Sequence, residues 1–175
     1  MPVLSIRLAD DPVLRKKAKR VTKIDDSVQR LTDNMFETMY FATGVGLAAP
    51  QVGVSLRVIV IDDREHEPTA LVNPQVVKRV GEREVEEGCL SIPGYKGLVK
   101  RSVSVTVKGL NRHGQEVRIK ATELLSQALE HEIDHLNGIL YTDRLVSPDK
   151  MWKVEPKPVA AEEKEEEMAA AEAGL

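Results

Sequence analysis

A single cysteine, Cys89, among 175 residues rules out an internal disulfide, so nothing covalent staples this chain. No apolar run approaches the ~20 residues needed to cross a bilayer, and no basic-then-apolar segment opens the sequence. Both absences lead to the expectation of a cytoplasmic, reducing compartment and no membrane partner. Aromatic residues make up only 3% of the chain. The glycine-rich stretch Gly44-Val45-Gly46 lacks both the spacing and the lysine of a P-loop, which argues against nucleotide binding. No internal repeat is visible. What remains is ordinary globular composition, 42% hydrophobic and 30% charged, and enough chain for one domain with a real core.

Against that background one cluster carries chemistry. His131-Glu132-Ile133-Asp134-His135 places two histidines four apart, on one face of a helix, where they can hold one metal together. Glu132 stands beside them, placed to deprotonate water on that metal. The local signals agree with a helix. Thr122 offers an N-cap, Glu123 to Glu130 are strong helix formers, and Gly138 supplies the stop. Leu124, Leu125, Ala128, His131, His135 and Leu136 can share a broad buried stripe, which turns the histidines inward. Cys89 read alone could be a small buried hydrophobe or a redox nucleophile. Its setting, between Glu86-Glu87-Gly88 and Leu90-Ser91-Ile92-Pro93, reads as a tight turn. A thiolate there would complete three protein ligands and leave the fourth position open, the layout of a catalytic metal site. His66 and His113 lie in polar turns and read as solvated.

The elements around the cluster follow from pattern. Asp11-Pro12 starts a short helical segment, and Asp26 or Ser27 can cap a longer helix to about Ala42, with Val28, Leu31, Met35, Met39 and Tyr40 as its apolar stripe. Strands are expected at Leu56–Ile61, Ala70–Val72, Val76–Val80 and Ser102–Lys108, the last alternating cleanly. Asn111-Arg112-His113-Gly114 then turns the chain into a strand over Glu116–Lys120. Strands between two helical regions predict an α+β domain, mostly antiparallel sheets packed around the central metal-binding helix. We place this catalytic domain at residues 1–150. Residues 151–175 form an acidic tail, flexible or partly helical. Positions 159–175 hold six Glu and one Lys, a side-chain charge of −5 in a chain of net −3.

Three separated segments together resemble the peptide deformylases. They are Gly44-Val45-Gly46-Leu47-Ala48-Ala49-Pro50-Gln51-Val52-Gly53, Glu87-Gly88-Cys89-Leu90-Ser91, and His131-Glu132-Ile133-Asp134-His135-Leu136. Their order and spacing match as well, and the likeness runs from Asp10 to about Asp143. The resemblance implies removal of the formyl group from formylmethionyl nascent chains, releasing formate and a free amino terminus. It implies one divalent metal, typically Fe2+, with Zn2+, Ni2+ or Co2+ as substitutes. Cys89, His131 and His135 would be its ligands and Glu132 the general acid/base. Gln51 and the Leu90 backbone N–H would form the oxyanion site. Val45, Gly46, Glu87, Gly88, Leu124 and Ala128 would line the methionine pocket and grip the peptide.

Two departures stand out. Glu130 replaces a glutamine common in relatives and reads as a solvated face residue. Gln127 replaces an aliphatic pocket-wall residue. Glu87 and Arg101 are expected to pair and brace the Cys89 segment. Some deformylases use a basic C-terminal helix on the ribosome. An acidic tail would be repelled by RNA phosphate, so direct nucleic-acid binding is not expected, and only transient ribosome proximity is carried over. A metallopeptidase would share the metal helix but has no use for the Cys89 and Gln51 segments. A metal-dependent scaffold would be expected to have lost one of the catalytic positions, and none is lost.

Overall fold

The computed structural model describes residues 2–155; the acidic stretch from residue 156 on lies outside them. The chain opens with a short 3₁₀ turn, Pro12–Arg15, and then forms α1, Asp26–Phe41. The cap of α1 is Asp25, one residue before the expected positions: its carboxylate accepts from the N–H groups of Ser27 and Val28. Its inner face carries Val28, Met35 and Met39, but also Thr32 and Thr38, while Tyr40 stays partly exposed and donates to Asp62.

Among the described residues eight strands follow: β1 Gly46–Ala48, β2 Val58–Ile61, β3 Thr69–Val80, β4 Arg83–Cys89, β5 Ile92–Arg101, β6 Ser104–Leu110, β7 Glu116–Thr122 and β8 Met151–Lys153. All pair antiparallel, in a five-stranded sheet of order β1-β2-β3-β6-β7 and a three-stranded sheet of order β4-β5-β8. The helix α2, Glu123–Leu136, lies against the larger sheet.

The core explains the arrangement. In β2, Val58, Ile59, Val60 and Ile61 are all buried because the strand is covered on both faces. Alternate side chains point opposite ways. Ile59 and Ile61 pack with Leu129, Ile133 and Leu136 of α2, while Val58 and Val60 pack with Val28, Met35 and Met39 of α1. Each such side chain contributes about 1.5–3 kcal/mol by leaving water. β6 has only its α2 side buried, so Val105 and Val107 alternate with half-exposed neighbours, as its sequence predicts.

Two expectations are revised. The predicted pair of strands Ala70–Val72 and Val76–Val80 is one strand, β3, whose register shifts between Val72 and Gln75. Asn73 there is left-handed, and its side chain bonds both the N–H and the carbonyl of Val21, so the Asn73-Pro74 break is absorbed as a bulge. Second, Met151–Lys153 pair with Tyr95–Gly97, so ordered sheet continues past the expected boundary at 150.

Candidate active site and metal centre

The metal-motif helix is fixed at its end more firmly than at its start. Thr122 occupies the N-cap position without a side-chain cap bond, and Glu123 is left-handed at φ 52°. Arg83 of β4 reaches the Glu123 carbonyl at 2.6 Å. At the other end Gly138 turns left-handed (φ 74°), and the N–H groups of Gly138 and Ile139 close onto the carbonyls of His135 and Asp134. A Cβ at position 138 would stand 2.6 Å from the Arg15 carbonyl oxygen, so only glycine fits this stop. Ala18 N–H and Arg57 both bond the Leu136 carbonyl, pinning the turn that carries His135.

Cys89 ends β4, where the register shifts between Glu87 and Cys89, and the chain then turns through Leu90-Ser91 into β5. The tight turn expected around Cys89 begins just after it, at Leu90. Cys89 Sγ lies 3.4 Å from His135 Nε2, which lies 3.2 Å from His131 Nε2. The three ligand atoms are all within 4.8 Å of one another. Both histidines are buried, as the helix pattern implied. The His131 Nδ1–H donates to Glu87 Oε1 at 2.6 Å, which fixes the tautomer and aims Nε2 at the cysteine. Burial pushes the His135 imidazole well below its ordinary pKa, leaving it neutral and able to donate a lone pair.

The donors therefore suit a divalent ion such as zinc or ferrous iron: one thiolate, two imidazoles with a braced tautomer, and one side left open. On that side lies Glu132, 5% exposed, with Oε2 making no hydrogen bond to any described residue. Burial pushes its carboxyl up to about 7. Room for it comes from β1. A Cβ on Gly46 would fall 2.7 Å from Glu132 Oε1 and 2.9 Å from its Cγ.

A cavity of about 710 Å³ opens over this group. Val45 and Gly46 line one wall; Glu87, Gly88, Cys89 and Leu90 line another; Leu124, Ala128, His131 and Glu132 line the floor along α2. Leu124 is 45% exposed, not part of the buried stripe expected of it: it faces the cavity instead of the core. His135 lies beneath, 1% exposed. Gln51, in the 3₁₀ turn Ala49–Val52, is buried. It accepts from Ala48 N–H at 3.0 Å and directs its amide nitrogen toward Ser91 Oγ (3.1 Å) and Cys89 Sγ (3.6 Å).

The expected Glu87–Arg101 pair is present and bidentate, at 2.6 and 2.7 Å. Burial alone would raise the Glu87 carboxyl, but Arg101 and His131 overcome it and hold it at about 2. Glu130 is a correction. It is buried, not solvated: its carboxylate accepts from Ser102 N–H at 2.7 Å and meets Arg79 at 3.3 Å. His66 and His113 are exposed as expected, His66 bonded to Asp63. Sequence reasoning passed over Ser91, Tyr141, which stacks 6.4 Å from His131, and Arg144, which holds Asp134. Local signal lay only in Asp134, inside the histidine motif, and Ser91, inside the Cys89 segment.

A Cys-His-His donor set beside a buried glutamate, at the base of a peptide-sized cleft in an α+β domain, defines a metal-dependent hydrolase. The polypeptide deformylase family model matches residues 3–151. The peptide deformylase of Dehalococcoides mccartyi is 55% identical over 154 residues, covering 87% of this chain and 92% of the relative. That of Halothermothrix orenii is 58% identical over 147 residues, covering 83% and 96%. The crystal structure of a peptide deformylase from Legionella pneumophila superposes with a TM-score of 0.81 at 50% identity, covering 84% of this chain and 88% of that one. A peptide deformylase from Synechococcus elongatus, solved in complex with actinonin, does so with a TM-score of 0.81 at 43% identity, covering 84% and 81%. The chain belongs to the polypeptide deformylase family. It is an enzyme that removes the N-terminal formyl group from nascent peptides, and the metallopeptidase and scaffold readings fall away. No described helix is long and apolar enough to cross a membrane.

Proposed function

We propose that Cys89, His131 and His135 hold one divalent metal, ferrous iron in the cell, and that Glu132 is the proton-transfer residue of the deformylation. The observation that carries this reading is the buried, unpartnered Glu132 oxygen on the open side of the three converging donors. When bound, the metal supplies Lewis acidity, polarising the formyl oxygen and making water easier to deprotonate.

The residues divide the remaining work. Glu132 takes a proton from the attacking water as its oxygen adds to the formyl carbon. Charge then gathers on the former carbonyl oxygen, where the Gln51 amide and the Leu90 N–H donate. Gln51 is held for this by its own bond from Ala48 N–H, so its amide need not reorganise during the reaction. Glu132 returns the proton to the departing nitrogen, the C–N bond breaks, and formate and a free amine leave. Val45, Leu124 and Ala128 receive the methionine side chain, while Gly46, Glu87 and Gly88 flank the peptide backbone. Gln127 reaches across to the Glu86 carbonyl at 2.9 Å, so its polar head is occupied and its stem faces the cavity.

Residues 2–155 act as one catalytic unit in the cytoplasm, meeting N-formyl chains as they leave the ribosome. Actinonin, bound by the Synechococcus relative, would occupy the same cleft and compete with substrate. The test is formate release from formyl-Met-Ala-Ser by protein purified without oxygen and loaded with ferrous iron. Release abolished by chelation and by Glu132→Ala, with iron retained in the variant, is the expected result. Full turnover in Glu132→Ala would remove that residue from its role.

A further inference from the structure

Behind His131 the structure holds a chain of alternating charges that runs from Glu87 out to solvent at Arg144. Glu87, which accepts from His131 Nδ1–H, is gripped by Arg101 through two bonds. Arg101 Nη1 also donates to Asp134 Oδ2 at 2.6 Å. Asp134 is in turn held at two points by Arg144: Nε to Oδ2 at 2.5 Å and Nη2 to Oδ1 at 2.9 Å. The Glu87, Arg101 and Asp134 side chains are 2–9% exposed, whereas Arg144 is 41% exposed. Arg144 is therefore the solvent-facing end of a line that finishes on a histidine of the Cys-His-His cluster.

We propose that Arg144 is a positioning residue for the metal centre: by clamping Asp134 it commits Arg101 to Glu87, and so fixes the carboxylate that orients His131. The inference rests on Cys89, His131 and His135 being the ligands. Charge balance supplies the first reason. Arg101 alone sits between two buried carboxylates, and one cation shared by two anions can drift toward either. Arg144 restores two against two, so Arg101 can make both of its bonds to Glu87. Geometry supplies the second. A two-point guanidinium–carboxylate contact fixes orientation as well as distance, which a single charge does not. Buried ion pairs are weak sources of net stability, because desolvation offsets their attraction, so what this line contributes is orientation. Arg144 also ends the 3₁₀ turn Tyr141–Arg144, whose Tyr141 ring stacks on His131. The same turn thus approaches the histidine from two directions.

The test compares wild-type protein with Arg144→Gln, each loaded with one equivalent of Co2+. Cobalt release to excess chelator, the visible absorption of the bound ion and the melting temperature are recorded. Loss of an outer partner of a metal ligand typically costs ~10–100-fold in affinity; one acting three links further out should speed release roughly three- to tenfold. The absorption band should shift, and Arg144→Lys, which keeps the charge but not the fork, should fall between. In an Asp134→Asn background Arg144→Gln should add nothing further. Wild-type release and spectrum in Arg144→Gln would overturn the proposal, even with a lowered melting temperature, because Arg144 would then only fasten its turn. Equal acceleration in both backgrounds would overturn it too. If Arg144→Gln does not fold, Arg144→Lys carries the same comparison. His135→Ala separates the two ideas: tight cobalt binding in that variant would refute the ligand assignment itself.

Discussion

Replacing Gly46 with alanine should disable the enzyme while leaving its fold and metal in place. The added Cβ would lie 2.7 Å from Glu132 Oε1, 2.9 Å from Cγ and 3.0 Å from Cδ. Ordinary carbon contacts begin near 3.5 Å, so the carboxylate must retreat by somewhere between about half and one ångström. A displacement of that size can cost ~100-fold when the displaced group takes part in the chemistry. We therefore expect kcat to fall by roughly 10–100-fold. Gly46 is not left-handed and pairs in register with Ile61, so alanine costs nothing in backbone conformation. The smaller freedom of the unfolded chain should even offset part of any strain, by about 0.4–1 kcal/mol. The assay is steady-state formate release, with metal content and urea unfolding measured on the same preparations. Activity within twofold of wild type would show that Glu132 is not confined as the structure places it. A kcat loss accompanied by equal metal loss would move the fault from Glu132 to the donors.

Other substitutions separate chemistry from scaffolding. Cys89→Ala should leave two histidines and lose metal in dialysis that wild type survives; retention of one equivalent would remove Cys89 from the donor set. Glu130→Ala strands the buried Ser102 N–H and should destabilise by about 1–3 kcal/mol in urea, with Glu130→Gln much milder. Equal stability in all three proteins would return Glu130 to the solvated role. Burial alone would raise Asp63, but the His66 ring and the N–H groups of residues 65 and 66 outweigh it and lower its pKa below 3.8. A depressed folded-state pKa means that stabilisation is present above 3.8 and disappears as pH falls through the folded value. The stability gap between wild type and Asp63→Asn should accordingly be wide at neutral pH and narrow in strong acid; a constant gap would contradict the assignment.

The parts of this molecule legible in sequence are those whose causes are local. The α2 helix announces itself by its formers and by Gly138, and the residues of the donor triangle lie in two short segments. β6 and β7 show their alternation and their turn. What stayed hidden depends on partners far along the chain. β4 carries Arg83, Glu84, Glu86 and Glu87 around a single valine, so no hydrophobic period marks it as a strand; pairing with β5 makes it one. Glu130 looks solvated until Ser102 and Arg79 are brought to it. Asn73-Pro74 looks like a break until Val21 satisfies the bulge. Asp25, Asp26 and Ser27 are all competent caps, and only geometry chooses among them. Leu124 fits an apolar stripe, yet it lies where the core gives way to the cleft.

The most direct test of the metal centre is X-ray absorption at the zinc edge of protein loaded with a single equivalent of zinc. One sulfur scatterer at ~2.3 Å and two imidazole nitrogens at ~2.0–2.1 Å are expected, with the sulfur lost in Cys89→Ala. A first shell of nitrogen and oxygen alone in the wild-type protein would contradict that expectation.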